Sequence, residues 1–100
     1  MEVKVHSIHF DADIKLLNFI EEKVNKLRQF DNKIIASEVF LRLDKAETKE
    51  NKVAEIKLNV PGKDLFAKKQ CKSFEEATDG AVEALRRQLK KHKEKLSTSH

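Results

Sequence analysis

The stretch SFEEATDGAVEALRRQLKKHKEK, residues 73–95, carries the strongest periodic signal in the chain and most of its surplus positive charge. Phe74, Ala77, Thr78, Ala81, Val82, Leu85, Leu89 and Leu96 recur at spacings of three and four, which gathers them into one apolar stripe on a helix. The spacing predicts a single long amphipathic helix packed on a core. Ser73 and Glu76 have the form of a capping box, in which hydroxyl and carboxylate each satisfy an orphan backbone N–H at the helix start. Glu75, Glu76 and Asp79 occupy the early turns, and Arg86, Arg87, Lys90, Lys91, Lys93 and Lys95 the late ones, matching the helix dipole at both ends. Dipole matching alone does not call for six cations within residues 86–95. On the helical wheel Arg87, Lys91 and Lys95 form a ridge on one flank of the stripe, while Arg86, Lys90 and Lys93 lie on the other. Like charges so placed repel by about a few tenths of a kcal/mol per pair. A polyanion that neutralises them is one reason to keep them; a solvated face whose long stems cover the core edge is the other.

Outward from this helix, the rest of the chain alternates. Val3 and Val5 alternate with Glu2, Lys4 and His6, a half-buried strand continuing towards Ile8. Asp13 then stands as N-cap to a first helix, from about Ile14 to about Phe30, whose face is Leu16, Leu17, Ile20, Val24 and Leu27. On its flank Lys15, Phe19, Lys23 and Lys26 place cations one turn apart beside an aromatic edge. After Asp31-Asn32-Lys33, Val39, Leu41 and Leu43 alternate with Glu38, Phe40 and Arg42. A charged turn, residues 44–51, leads to Ala54, Ile56, Leu58 and Val60 alternating with Val53, Glu55, Lys57 and Asn59. Pro61-Gly62-Lys63 turns the chain into a short strand from Leu65 to about Gln70, where Lys68 and Lys69 suit an exposed edge. The expected fold is α+β, ordered β-α-β-β-β-α: a four-stranded sheet with both helices packed on one face and the first two strands parallel if adjacent. A single domain over residues 1–96 with a disordered tail at 97–100 is expected.

The 100 residues carry a formal charge of +4, distributed unevenly. Residues 1–62 hold eleven basic and eleven acidic groups, residues 63–100 ten against six. Such asymmetry points to a nucleic-acid or anionic partner. The single cysteine, Cys71, excludes an intramolecular disulfide, and nothing resembles a signal peptide or a membrane span, so a cytoplasmic protein without a membrane partner is expected. Enzyme chemistry does not stand out. His6 and His9 lack the partners of a zinc site or triad, and His92 falls on the apolar side of its helix. Lys69 and Lys72 would lower the pKa of Cys71, but no positioned base accompanies it. No phosphate-cradling glycine loop is present. Six Phe without Tyr or Trp form no base-stacking cluster on a strand, so any nucleic acid would be met through backbone and shape. No catalytic residue, cofactor, metal or small-molecule substrate is assigned.

The order of elements together with residues 75–93 resembles the ribosome hibernation-promoting factor family, also called ribosome-associated inhibitor or sigma-54 modulation proteins. The resemblance rests on Leu85-x-Arg87-Gln88-Leu89-x-Lys91, on Glu22-Lys23-Val24-Asn25-Lys26-Leu27, and on NVPGKDLFAK from Asn59 to Lys68, and it covers residues 1–95. It implies a small cytoplasmic protein in the mRNA and tRNA channel of the small ribosomal subunit, touching rRNA through basic residues of both helices and blocking translation in starved or stationary cells. Carried over by position, the contacts are Lys23 and Lys26 on the first helix and Arg87 and Lys91 on the second. Arg86, Lys90 and Lys93 stand in for basic positions that here hold Ala84 and Gln29. The resemblance also implies a short form, monomeric off the ribosome. Two rivals remain: a double-stranded-RNA-binding domain, whose last helix carries its cations at the N-terminal end, and a protein-binding modulator of a transcription factor.

Overall fold

A computed structural model of the chain describes residues 2–45 and 49–98, with side chains described as far as Glu94. Lys95 and Leu96 of the expected ridge and stripe, and residues 46–48 of the charged turn, therefore lie outside the described side chains. The order is β1 (Glu2–Ser7), α1 (Ile14–Phe30), β2 (Ala36–Leu43), β3 (Lys52–Val60), β4 (Lys63–Cys71) and α2 (Phe74–Thr98). α2 runs as far as Thr98.

Each strand pairs only with its sequence neighbours, in the order β1-β2-β3-β4, with β1 parallel to β2 and the other pairs antiparallel. In the β3–β4 turn Pro61 fixes the first central residue, and Gly62 supplies the left-handed second one at φ 90°. On one sheet face the register aligns Val5, Val39, Ile56 and Ala67, and beside them Val3, Ser37, Leu58 and Leu65. The core lies between this face and both helices: Ile20, Val24 and Leu27 from α1, and Ala77, Ala81, Leu85 and Leu89 from α2. Both helices thus cover one face, as the alternation implies.

Both helices start at the expected caps, although of the expected capping box at Ser73 and Glu76 the structure shows only the Ser73 half. Asp13 Oδ1 accepts from Leu16 N at 2.8 Å, and Ser73 Oγ from Glu76 N at 3.1 Å. The helices run in the same sense, since Phe10 stacks on Phe74 near their starts and Lys93 reaches Phe30 near their ends.

Three details depart from the alternation. Val53, expected on the open face, is buried there, in register between Arg42 and Gln70, while Leu43 at the end of β2 is half exposed. Ile34, left unassigned before β2, is buried in the core. The open face otherwise interleaves Glu2, Glu38, Glu55 and Asp64 with Lys4, Arg42, Lys57 and Lys68. Arg42 pairs with Glu55, and Lys57 with Asp64 at 3.7 Å.

Gly80 lets α2 sit close to the sheet edge: a Cβ there would meet Lys69 Cγ at 3.1 Å. That neighbour is the stem of an exposed, flexible lysine that can yield. Gly80→Ala should therefore stabilise the fold by about 0.5 kcal/mol, because glycine inside a helix is unfavourable by roughly 0.5–1 kcal/mol; denaturant unfolding measures it. Leu85 is fully buried, and Leu85→Ala should destabilise by roughly 2–5 kcal/mol in the same assay.

Candidate nucleic-acid interface

The facing flanks of the two helices build a groove. From α1, Phe19, Lys23, Lys26 and Phe30 follow at three- and four-residue spacing, so they line one side of the helix. Asp79, Val82, Glu83 and Arg86 of α2 face them across the cleft. Two links tie its walls together. Lys23 Nζ lies 3.7 Å from Asp79 Oδ1 and 5.4 Å from the Phe19 ring centroid. Lys93 Nζ donates to Phe30 O at 3.1 Å and sits 5.2 Å from the Phe30 ring centroid, so it caps one of the last carbonyls of α1.

Of the seven cations singled out in the sequence, Lys90 is exposed on α2, outside the groove and the shallow depression at Lys63, and the other six divide into three groups. Lys23, Lys26, Arg86 and Lys93 border the groove or close its end. Arg87 points outward from α2, strongly exposed, with its Nε 3.8 Å from Glu83 Oε1. Lys91 belongs to the opposite flank, where it borders a shallow depression with Lys63, Leu65, Gln88 and His92. There Gln88 Nε2 donates to Phe66 O at 2.9 Å, anchoring α2 to β4. Lys26, Arg86, Lys90 and Lys91 are exposed and make no ion pair among the described residues. The structure thus sets Arg86, rather than Arg87 and Lys91, across from Lys26. Sequence reading also passed over Asp79 and Glu83 as groove residues, although both lie on the same flank of the wheel as Arg86.

The groups outside the groove are quieter. His6 Nε2 lies 3.2 Å from Glu38 Oε2, and its ring stacks on Phe40 at 4.9 Å between centroids. Among the described residues no three His, Cys, Asp or Glu side chains gather as metal ligands, and no helix is long and apolar enough to cross a membrane. The Cys71 thiol is pushed up, not down. Burial disfavours its thiolate, Glu76 and Glu50 add to that, and Lys69 opposes them. Lys69, close to it in sequence, is thus outweighed first by burial and then by carboxylates.

An α+β domain with a groove of exposed cations between its two helices and interleaved acids and bases on its open sheet face is the class these features define. The family model described as sigma 54 modulation protein / S30EA ribosomal protein matches residues 3–97, and the chain belongs to that family. It is 30% identical over 95 residues to a ribosome hibernation promoting factor of Pseudomonas putida, covering 95% of this chain and 89% of that one. In fold it is similar to a ribosomal subunit interface protein from Coxiella burnetii, with TM-score 0.82 and 18% identity over 93% of this chain and 98% of that one. The N-terminal domain of Protein Y from Thermus thermophilus is alike too, with TM-score 0.80 and 22% identity over 92% and 99% of the two chains.

The upward shift of Cys71 has a direct readout. The pH at which alkylation by iodoacetamide reaches half its maximal rate should lie above that of a cysteine in an unstructured peptide, since only the thiolate reacts. A midpoint below the peptide's would mean that Lys69 and Lys72 dominate.

Proposed function

We propose that this protein is a ribosome hibernation factor, cytoplasmic and monomeric off the ribosome. It binds the small subunit in its mRNA and tRNA channel and inhibits translation in starved or stationary cells. The single observation that carries the reading is the placement of charge. Lys26, Arg86, Lys90 and Lys91 are exposed on the helix layer and make no ion pair among the described residues, whereas acids and bases interleave across the open face, with Arg42 paired to Glu55 and Lys57 to Asp64. A polyanion is therefore met by one face of the molecule, and rRNA is the polyanion that the family and the name of the Pseudomonas putida relative suggest. Lys23, Lys26, Arg86, Arg87, Lys90, Lys91 and Lys93 are the proposed rRNA contacts. Of these, Lys23 and Lys93 also hold the helices together, so their removal mixes lost binding with altered geometry. The double-stranded-RNA-binding alternative is disfavoured, because the first turn of α2 carries Glu75 and Glu76 where that module needs cations.

Two double variants test this. Lys26→Glu with Arg86→Glu acts at the groove, and Arg87→Glu with Lys91→Glu on the outer flanks of α2. All four side chains are exposed, so each change should alter stability by about 0.5 kcal/mol or less. In sucrose-gradient co-sedimentation with small subunits both pairs should weaken binding, the groove pair more. The dependence of log K on log[salt] should become shallower by about 0.7–0.9 for each lost phosphate contact. Added to cell-free translation, wild type should inhibit and the groove pair should not. A groove variant that melts normally and inhibits at the wild-type concentration would show that these cations are only a solvated face.

A further inference from the structure

The groove between the helices has more features than a phosphate-binding strip requires. Lys23 and Asp79 border it at one end, and beyond the other Lys93 on the Phe30 carbonyl ties the helices together. Two turns of α1 lie between these links, roughly 10 Å. The groove is open to solvent along its length and holds about 650 Å³, space for one small ligand or nucleotide. Its base is apolar, formed by Leu27, Phe30 and Val82, and its rim carries the unpaired Lys26 and Arg86.

The α2 wall also presents Glu83. A carboxylate among phosphate-binding cations weakens a purely electrostatic site, since it repels the backbone the cations attract. It fits where it accepts N–H donors from the edge of a base. Glu83 Oε1 makes only an exposed ion pair with Arg87 Nε at 3.8 Å, beyond hydrogen-bond distance, so the carboxylate can still accept N–H donors.

We propose that this groove takes one unstacked nucleotide of single-stranded RNA and prefers guanine to uracil, an inference that rests on the rRNA-binding reading and adds base recognition to it. The base lies on Phe30 and Val82 above the buried Leu27, its phosphate is held between Lys26 and Arg86, and its edge meets Glu83. Guanine offers N1–H and the N2 amino group side by side, which one carboxylate accepts together. Uracil offers a single N3–H flanked by two carbonyl oxygens that repel the carboxylate. A stacked duplex presents no free base face to the apolar base of the groove. An acidic peptide would meet both Asp79 and Glu83 as like charges.

The test uses the full chain and two labelled pentanucleotides, UUGUU and UUUUU, titrated by fluorescence anisotropy at low salt, with backbone amide shifts recorded in parallel. UUGUU should bind about tenfold more tightly than UUUUU, the size expected of one bidentate base contact. The shifts should concentrate at residues 26–30 and 82–86. Glu83→Gln, an exposed substitution, should bring the two affinities within about twofold, with UUUUU bound as tightly as before or more so, because the carboxylate attracts guanine and repels uracil and the backbone. Equal binding by wild type, a preference that survives Glu83→Gln, or displacement of UUGUU by an oligoglutamate peptide would each overturn the proposal. Co-sedimentation with small subunits separates the two readings. Salt-dependent subunit binding without base preference removes the guanine site and leaves the ribosomal function standing, whereas absence of both removes both.

Discussion

The fit of α2 against β3 and β4 is the contact on which the remaining geometry rests. Its buried stripe changes character along its length, with Ala77 and Ala81 near the start and Leu85 and Leu89 further on. Small side chains bring the first half of the helix close to the sheet, and Gly80 extends that closeness to the edge at Lys69. The leucines further along fill the core with larger apolar volume, each worth roughly 1.5–3 kcal/mol of burial. Since α1 packs on α2 as well as on the sheet, the seating of α2 bears on where α1 lies and so on the groove between them. Gln88 on Phe66 O and Lys93 on Phe30 O then fix α2 from both flanks.

This packing also sorts charge. A sheet covered on one face leaves the other to water, and here that face interleaves acids and bases across neighbouring strands, in pairs such as Arg42 with Glu55. Opposite charges facing each other across a sheet are mildly favourable, whereas like charges are not. The helices obey a different rule. Their cations follow the flanks of one element, at three- and four-residue spacing, and only some find an acid within reach. The helix layer therefore carries the field of the molecule, and a polyanion approaching from a distance is turned towards it.

The fold was readable because its two periods are clean. The twofold alternation of residues 54–60 and the threefold-to-fourfold spacing of α2 each allow one arrangement, and Asp13 and Ser73 mark the helix starts. What escaped were positions where burial comes from elsewhere. Val53 sits on the open face yet is buried in the register between Arg42 and Gln70. Ile34 lies outside any periodic run. At the candidate site the cations were legible as a set, but their division was not, because a helical wheel gives a flank and not what that flank faces. Arg86 meets α1, Lys91 meets β4, and Arg87 meets solvent. For the same reason Cys71 was read by its sequence neighbours, whereas Glu50 and Glu76 reach it through the fold.

The strand order has a consequence for how the molecule is made. Every strand pairs with the next one in sequence, so β2, β3 and β4 assemble by short-range turns, the kind of contact that forms early and quickly. The groove is built otherwise: its walls are the second element and the last, separated by the whole sheet. During synthesis α1 emerges with no partner for its flank, and α2 follows only after all four strands. A chain that has reached β4 can therefore own a sheet but not a groove, and the basic face comes into being only once α2 has folded back onto it.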